Sequence, residues 1–451
     1  MSDLLTSAAE TALGGRENNN PAPDAAAGAS PRAEAPAVKK RIDHHIWGIY
    51  LVLVMVAILE LFSASIQEVP SDNVFYPILR HSRFLGAGLL IMLGLQYVPY
   101  KKIFAAIPFY VVGSIALMVY VRFAGAEETS INGAARALKV MGVTILPAEF
   151  MKLGIALGMA YILDQTRIRG KHDITWTGWW MAMALLLVSD GLLFTQGLSN
   201  TIIVTCVGFS MMLVGGMGWK KFLLAVAVVG ALGGGGYYYK THAPEDVKIT
   251  ERQELINRLN HAEADSTAGA GRGKVWNARL ENHWRADKHL EPFSLDHQQE
   301  QLSYIAQARG HFIGVGVGKS RENARLPLAY SDYVYAIIVE EWGLFGGLLL
   351  LSVYMWLLGR SATLSLKFRD KLPGILTMGC AFVIVFQALY HMAIVTGVFP
   401  VSGQPLPLIS KGGISVITTS MAFGIMLSCA RHALHTKDVQ RQSAPESAPA
   451  E

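Results

Sequence analysis

The apolar segments of this chain constrain its fold more than any other feature. Each has close to the roughly 20 residues that an α-helix needs to cross a bilayer, and polar connections separate them. They predict an all-α polytopic membrane protein with about ten transmembrane helices within residues 45–432. The ten segments run over residues 46–65, 83–98, 103–124, 144–164, 175–196, 198–217, 222–239, 333–358, 374–397 and 408–430.

Composition agrees with a membrane protein. Hydrophobic residues make up 52% of the chain and charged residues 16%, against roughly a quarter charged in soluble proteins. The net charge of +5 is mild, and the basic residues are dispersed, which argues against a nucleic-acid partner. Cys206, Cys380 and Cys429 lie in apolar segments without metal-ligand spacing, so we expect buried hydrophobic residues.

The polar stretches predict tails and an orientation. Residues 1–38 and 440–451 have the composition of disordered tails. Lysine and arginine precede the first segment and follow the second, fourth, sixth, eighth and tenth. By the positive-inside rule this side, with both termini, is cytoplasmic. Residues 240–332 then form one large outer-face loop between segments seven and eight, for which we expect partial order and short helices.

Two outward-facing elements near the fourth segment carry charge. The loop from Asn132 to Arg136 precedes it, and Glu149 and Lys152 lie within it. The two charges are three residues apart, so they share a helix face. Facing the bundle interior as a pair, they become tolerable in a membrane. The sequence leaves open whether the pair only locks the helices together or also lines a cavity.

A glycine-rich stretch, GHFIGVGVGKSRENARLPLAYSD, occupies residues 310–332. It is not a Walker phosphate loop, because Ile313 stands where that pattern needs glycine. Its glycines can still let backbone N–H groups approach an anionic head group, and its basic residues suit a pyrophosphate. A flexible loop is the alternative. The following apolar helix carries Glu340 and Glu341, and such charges in a spanning segment usually serve a purpose.

Residues 399–413 hold three prolines and three glycines beside an apolar span. They predict a broken or re-entrant backbone, which is allowed at membrane depth only where protein or a wet cavity surrounds it. Gln387 and His391 would be costly against lipid, so we expect them to face inward. For His391, a core histidine is favoured over a catalytic one.

These elements together resemble the SEDS family (shape, elongation, division and sporulation), which includes FtsW and RodA. The resemblance covers residues 45 to about 432. The matching motifs are NGxxR from Asn132, P-x-E-x-x-K from Pro147, G-x-G-x-S from Gly316, LPxAxSD to EE-x-G from Leu326, and P-x-x-G-x-x-LP-x-IS-x-GG from Pro400.

The resemblance implies a peptidoglycan glycosyltransferase of the bacterial cytoplasmic (inner) membrane. Such enzymes polymerise lipid II, the undecaprenyl-pyrophosphate disaccharide-pentapeptide, at the outer membrane face. A class B penicillin-binding protein transpeptidase is the implied partner, beside membrane lipid and no nucleic acid. The FtsW-like ending at residues 399–413 favours a septal role, with other division proteins as partners, over RodA-like elongation. A lipid II flippase and a passive scaffold are the competing functions.

The resemblance also implies site residues. The family's essential aspartate in a D-P-F context corresponds to Glu291; the next stretch is one residue longer than usual, so Asp296 is the second candidate and Asp287 the third. The resemblance assigns no definite cofactor, and a divalent cation (Mg²⁺ or Mn²⁺) is an alternative to arginine for stabilising the leaving group. The implied substrate-binding residues are Arg136, Glu149, Lys152, Lys319, Ser320, Arg321, Arg325, Asp332, Gly403 and Ser410.

The chain departs from the family pattern at three places. The family's Q-P-D-L-G-T reads here as Gln196-Gly197-Leu198-Ser199-Asn200-Thr201, so its acid is missing. Leu328 stands where the family has glutamate, and Lys411 where it has tyrosine.

Overall fold

The structure is a computed structural model, and it describes eleven stretches of the chain. The predicted N-terminal tail, the loop residues 242–297 and the last eight residues lie outside them. The described residues are 43–65, 76–123, 130–131, 134–135, 138–140, 143–168, 172–194, 196–241, 298–326, 329–368 and 370–443.

Helices make up most of the described chain. Residues 298–332, the described end of the predicted outer loop, contain three short helical elements as expected: α8, a 3₁₀ turn at Glu322–Ala324, and α9. The α-helices are α1 His44–Ser65, α2 Tyr76–Tyr97, α3 Tyr100–Phe123, α4 Pro147–Gln165, α5 Trp176–Phe194, α6 Leu198–Val214, α7 Trp219–Thr241, α8 Gln298–Gly310, α9 Ala329–Asp332, α10 Val334–Ser365, α11 Lys371–Val395 and α12 Gly413–Ser443.

Each of the ten predicted segments coincides with one of the long helices, α1 to α7 and α10 to α12. Six helices in the described part of the chain are long and apolar enough to cross a membrane: α1, α3, α5, α10, α11 and α12. The multi-pass membrane fold is therefore confirmed, and the number ten stays a prediction.

Three expectations need correction. The second predicted tail is wrong over residues 440–443, because α12 continues to Ser443. The all-α expectation missed two small antiparallel hairpins before α4, built from β1 Ser130–Ile131 with β2 Ala134–Ala135 and β3 Leu138–Val140 with β4 Val143–Ile145. The fourth segment accordingly begins as a strand, and its helix begins at Pro147, whose fixed φ suits a first helical position.

The bundle is organised around α11 and residues 413–431 of α12, whose apolar spans are largely buried. α12 packs most extensively against α2, and α11 packs against α10 and α4. Cys380 of α11 and Cys429 of α12 are fully buried as predicted, but Cys206 of α6 is exposed. That expectation is wrong because α6 turns this thiol outward, where lipid would surround it.

Candidate functional site

The predicted ion pair lies in the bundle interior. Glu149 and Lys152 occupy the first two turns of α4, and Lys152 Nζ lies 2.5 Å from Glu149 Oε1. Lys152 Nζ also donates to Gln387 Oε1 of α11, at 2.8 Å. Only 1% of Lys152 and 6% of Glu149 is exposed. A charge this deep needs a partner and further hydrogen bonds, and α4 and α11 supply both.

Glu149 of this pair also borders a small cavity between α4, α11 and α12. Its polar wall combines Glu149 and Gln387 with two hydroxyls of α12. Lys152 therefore connects α4 to α11 while Glu149 lines the cavity, so the two possibilities left open by the sequence are not exclusive. The lining residues are Glu149, Leu153, Val383, Ile384, Gln387, Thr418, Thr419 and Ala422.

A non-helical segment, residues 396–412, separates α11 from α12, which confirms the predicted break. We call it the broken segment. Gln387 Nε2 donates to the carbonyl of Pro405 at 3.0 Å. His391 Nδ1 lies 2.6 Å from the carbonyl of Gln404, and because a carbonyl only accepts, Nδ1 carries the proton. His391 and Gln387 are both buried, so they face inward as expected.

Ser199 and Asn200 also contact the broken segment. They lie in the stretch Gln196–Thr201, which differs from the family pattern Q-P-D-L-G-T. Gln404 Nε2 donates to Asn200 Oδ1 at 3.0 Å, and the hydroxyls of Ser199 and Ser402 are hydrogen-bonded. Both contacts come from the N-terminal turn of α6, where the family pattern has leucine and glycine instead. Two polar contacts thus connect α6 to the broken segment, next to the position where the motif's acid is missing.

Replacing Asn200 by alanine should destabilise the protein by about 1–3 kcal/mol, the usual cost of stranding a buried polar group. Gln404 is buried, and its Oε1 already has no partner within the described residues. Thermal unfolding in detergent measures the effect. Cys206→Ala is the matched control, because Cys206 lies on the same helix and is exposed. Equal midpoints for the two variants would contradict the contact's role.

The paired acids of α10 turn to different partners. Glu340 is fully buried and accepts from Ser320 Oγ (2.5 Å), Arg309 Nη1 (3.1 Å) and the backbone N–H of Arg321 (3.1 Å). Glu341 accepts from the hydroxyl of Ser63 on α1. The predicted site residue Ser320 therefore fastens the glycine-rich loop to α10.

Gly343 interrupts α10 just after these acids. Its φ of +74° and ψ of −179° are not helical, and a left-handed φ of this kind favours glycine. The break leaves backbone carbonyl and N–H groups of α10 without helical hydrogen-bond partners, and residues 311–316 supply those partners. The N–H groups of Val315 and Gly316 donate to the carbonyls of Glu340 (3.0 Å) and Glu341 (2.9 Å).

The chain beyond the break is held in the same way. The N–H groups of Leu344 and Phe345 donate to the carbonyls of His311 (2.9 Å) and Phe312 (3.1 Å). The approach is so close that a Cβ on Gly310 would lie 2.0 Å from the Val339 carbonyl oxygen. These contacts favour an ordered glycine-rich loop over the flexible alternative.

Three further predicted residues meet where α9 contacts the broken segment. Ser410 Oγ donates to the carbonyl of Ser331 (2.7 Å) and accepts the N–H of Leu406 (2.7 Å). A Cβ on Gly403 would lie 2.9 Å from Asp332 Oδ2. A side chain at 403 would therefore have to displace this carboxylate.

Of the other predicted residues, three are exposed and the rest lie outside the described part of the chain. Lys319, Arg321 and Arg325 are exposed, and Arg325 Nη1 is 3.6 Å from Glu322 Oε1. The remaining candidates lie outside the described residues: Arg136, Asp287, Glu291 and Asp296.

A divalent cation finds no ready site in the described part of the chain. No group of three or more histidine, cysteine, aspartate or glutamate side chains there is arranged to hold a metal ion. The carboxylate that lies deepest, Glu340, already accepts three hydrogen bonds.

Sequence reasoning missed Glu60 and Arg309. Glu60 is buried in α1, and its Oε1 accepts from the indole N–H of Trp342 at 3.0 Å. A lone acid within an apolar segment was a usable signal. Arg309 gave none, because its partner Glu340 follows 31 positions later.

Curated relatives and solved structures resemble this chain along most of its length. A protein of Tolumonas auensis named "Probable peptidoglycan glycosyltransferase FtsW" is 27% identical over 394 residues, covering 85% of this chain and 91% of that protein. One of the same name from Alcanivorax borkumensis is 27% identical over 403 residues, covering 88% and 95%.

Among solved structures, the rod shape determining protein RodA of Thermus thermophilus has a TM-score of 0.57 at 22% identity, covering 87% of this chain and 97% of that one. A chain from a structure titled "Structural coordination of polymerization and crosslinking by a peptidoglycan synthase complex" has a TM-score of 0.60 at 24% identity, covering 87% and 98%. These similarities show the fold. The family model described as "Cell cycle protein" matches residues 43–265 and 277–435, so the chain belongs to the FtsW/RodA/SpoVE family.

Proposed function

We propose that this chain is a peptidoglycan glycosyltransferase that polymerises lipid II during septal wall synthesis. The observation that carries the proposal is the buried polar centre: the Glu149–Lys152 pair, a cavity beside it and the broken segment that precedes α12. Buried charge at membrane depth is costly and is usually retained for function. The names of the relatives from Tolumonas and Alcanivorax supply the reaction. The proposed location is the bacterial inner membrane, with both termini in the cytoplasm.

The reaction needs one base and a stabilised leaving group. A sugar hydroxyl of the acceptor loses its proton as it attacks the anomeric carbon of the donor, and a carboxylate within hydrogen-bond reach takes that proton. We assign this role to Glu291, with Asp296 second. The departing lipid pyrophosphate gathers negative charge. Cationic side chains can stabilise it, and such preorganised charge is often the largest catalytic contribution.

Lys319, Arg321 and Arg325 are proposed for that stabilisation together with Arg136. The first three are exposed, so a lipid-linked diphosphate can reach them. Their loop is held to α10 through Ser320, the backbone N–H of Arg321 and Glu340. This attachment fixes the loop before substrate binds, which lowers the entropic cost of assembling the site.

Replacing Glu291 by glutamine should lower lipid II polymerisation by about 10²–10⁴-fold, the usual contribution of a general base. The amide keeps the size of the side chain but cannot accept the proton. Purified protein, with its transpeptidase partner, is incubated with labelled lipid II in detergent, and glycan chains are resolved on gels. Asp296→Asn is the matched variant. Loss of activity only in Asp296→Asn would move the role, and full activity in both would end the carboxylate mechanism.

A lipid II flippase is the second candidate, because interior charges and a broken helix also suit a transporter. Vesicle assays separate the two functions. Glycan chains from purified protein support the enzyme, whereas lipid II movement without chains supports the flippase. A scaffold produces neither.

The proposed partner is a class B penicillin-binding protein transpeptidase. The similar chain from a peptidoglycan synthase complex supports a partnership of this kind. The proposed septal role, in preference to elongation, rests on the FtsW names of the relatives. A fluorescent fusion at the division site would support it, and an even distribution along the side wall would favour elongation.

A further inference from the structure

The tip of the glycine-rich loop presents apolar side chains away from the protein. Phe312 is 62% exposed, Ile313 82% and Val317 49%. We call these three residues the loop tip. They sit at the end of α8, outside the predicted membrane spans. Exposure of three large apolar residues within six positions of a polar loop is unfavourable in water, so another apolar phase is expected to cover them.

The loop tip is continuous with the lipid-facing side of α10. The rings of Phe312 and Phe345 have centroids 6.4 Å apart. Phe345 is 58% exposed, like Leu344 and Leu348 beside it, on a helix long and apolar enough to cross a membrane. Lipid that contacts this face of α10 is therefore within reach of Phe312.

Four backbone polar groups of the loop already have hydrogen-bond partners, as an apolar environment requires. Irregular backbone at membrane depth is tolerated only where its polar groups have partners. Here the break at Gly343 provides them: the carbonyls of His311 and Phe312 accept from α10, and the N–H groups of Val315 and Gly316 donate to it. The tip can thus enter lipid without stranding these four groups.

Within residues 310–326, which the structure describes, the exposed charges have one sign. Lys319, Arg321 and Arg325 are exposed, while the neighbouring acids Glu322, Glu340 and Glu341 are buried. An apolar tip with a cationic rim is the pattern of segments that lie in a membrane interface and attract anionic lipids.

We propose that the loop tip inserts into the adjoining membrane leaflet, and that Lys319, Arg321 and Arg325 contact the headgroups of anionic phospholipids. The loop tip and these three cationic residues would anchor the outer loop to the bilayer beside α10. This inference rests on the membrane fold and the exposed residues, and it does not depend on the proposed reaction.

Spin labelling tests the insertion. Only Cys206 needs replacement, by serine, because Cys380 and Cys429 are fully buried. A nitroxide is attached at Ile313→Cys or Val317→Cys in vesicles, and its collisions with oxygen and with a water-soluble nickel chelate are measured. Ala324→Cys is the control, since Ala324 is exposed on the neighbouring 3₁₀ turn. The unsubstituted Cys206→Ser protein checks for background labelling.

Labels at 313 and 317 should favour oxygen over the nickel chelate several-fold more than the label at 324. Equal accessibility to nickel at 313, 317 and 324 would overturn the insertion. Exclusion of both reagents from 313 and 317 would also overturn it, because protein would then cover the tip. Two labelling positions guard against one variant that fails to fold.

The headgroup contact has its own test. Vesicles of phosphatidylcholine alone are compared with vesicles that also contain phosphatidylglycerol. The label at 313 should move deeper in the anionic vesicles, and Lys319→Gln combined with Arg321→Gln and Arg325→Gln should remove that difference. Equal depth in both lipids for the unsubstituted loop would overturn the cationic contact.

Discussion

Replacing Lys152 by methionine is expected to destabilise the protein by about 3–5 kcal/mol, because it strands one partner of a buried ion pair. Glu149 would lose the ammonium 2.5 Å away, and Gln387 would lose a donor at 2.8 Å. Denaturant or thermal unfolding in detergent measures the loss. Little change in the unfolding midpoint would contradict the claim that this buried ion pair is needed for stability.

The double variant Glu149→Gln with Lys152→Met separates the pair's two roles. It removes both charges at nearly constant volume, and replacing a whole buried pair is often neutral or stabilising. Stability should therefore return towards that of the unsubstituted protein. Polymerisation should be lost in Lys152→Met and in the double variant alike if the charges contribute to the cavity's function. Recovery of both stability and activity would make the pair a structural connection between α4 and α11 only.

Replacing Gly343 by alanine is expected to cost about 2–5 kcal/mol, from left-handed strain and overpacking together. A Cβ at 343 would lie 2.3 Å from the Phe312 carbonyl oxygen and 2.5 Å from the Gly314 nitrogen. The glycine-rich loop would have to leave the break. Thermal unfolding measures the stability, and trypsin cleavage after Lys319 or Arg321 reports on release of the loop.

Gly359→Ala is the matched control for this substitution. Gly359 lies on the same helix, and an added Cβ meets nothing within 4 Å. Alanine has the higher helix propensity, so this variant should be as stable as the unsubstituted protein or slightly more stable. Similar losses in the two variants would mean that α10 is generally intolerant of substitution, which contradicts a specific role for the break.

Patterns along the sequence predicted the parts of the site that depend on local spacing. Glu149 and Lys152 are one helical turn apart, so their pairing followed from periodicity. The prolines and glycines of residues 399–413 predicted a break because they remove donors and permit turns. The inward placement of Gln387 and His391 followed from the cost of polar groups in lipid.

Apolar segment length, together with positively charged connections, determined the multi-pass membrane fold from sequence alone, because spanning a bilayer imposes a fixed length on each helix. Only the tertiary structure decided the partners of the internal polar groups. Glu340 meets Ser320 and Arg309 across a loop, and Asn200 meets Gln404 across 204 positions. Such pairings depend on how helices pack. The residue pattern of one helix does not predict which residues of a neighbouring helix it will contact.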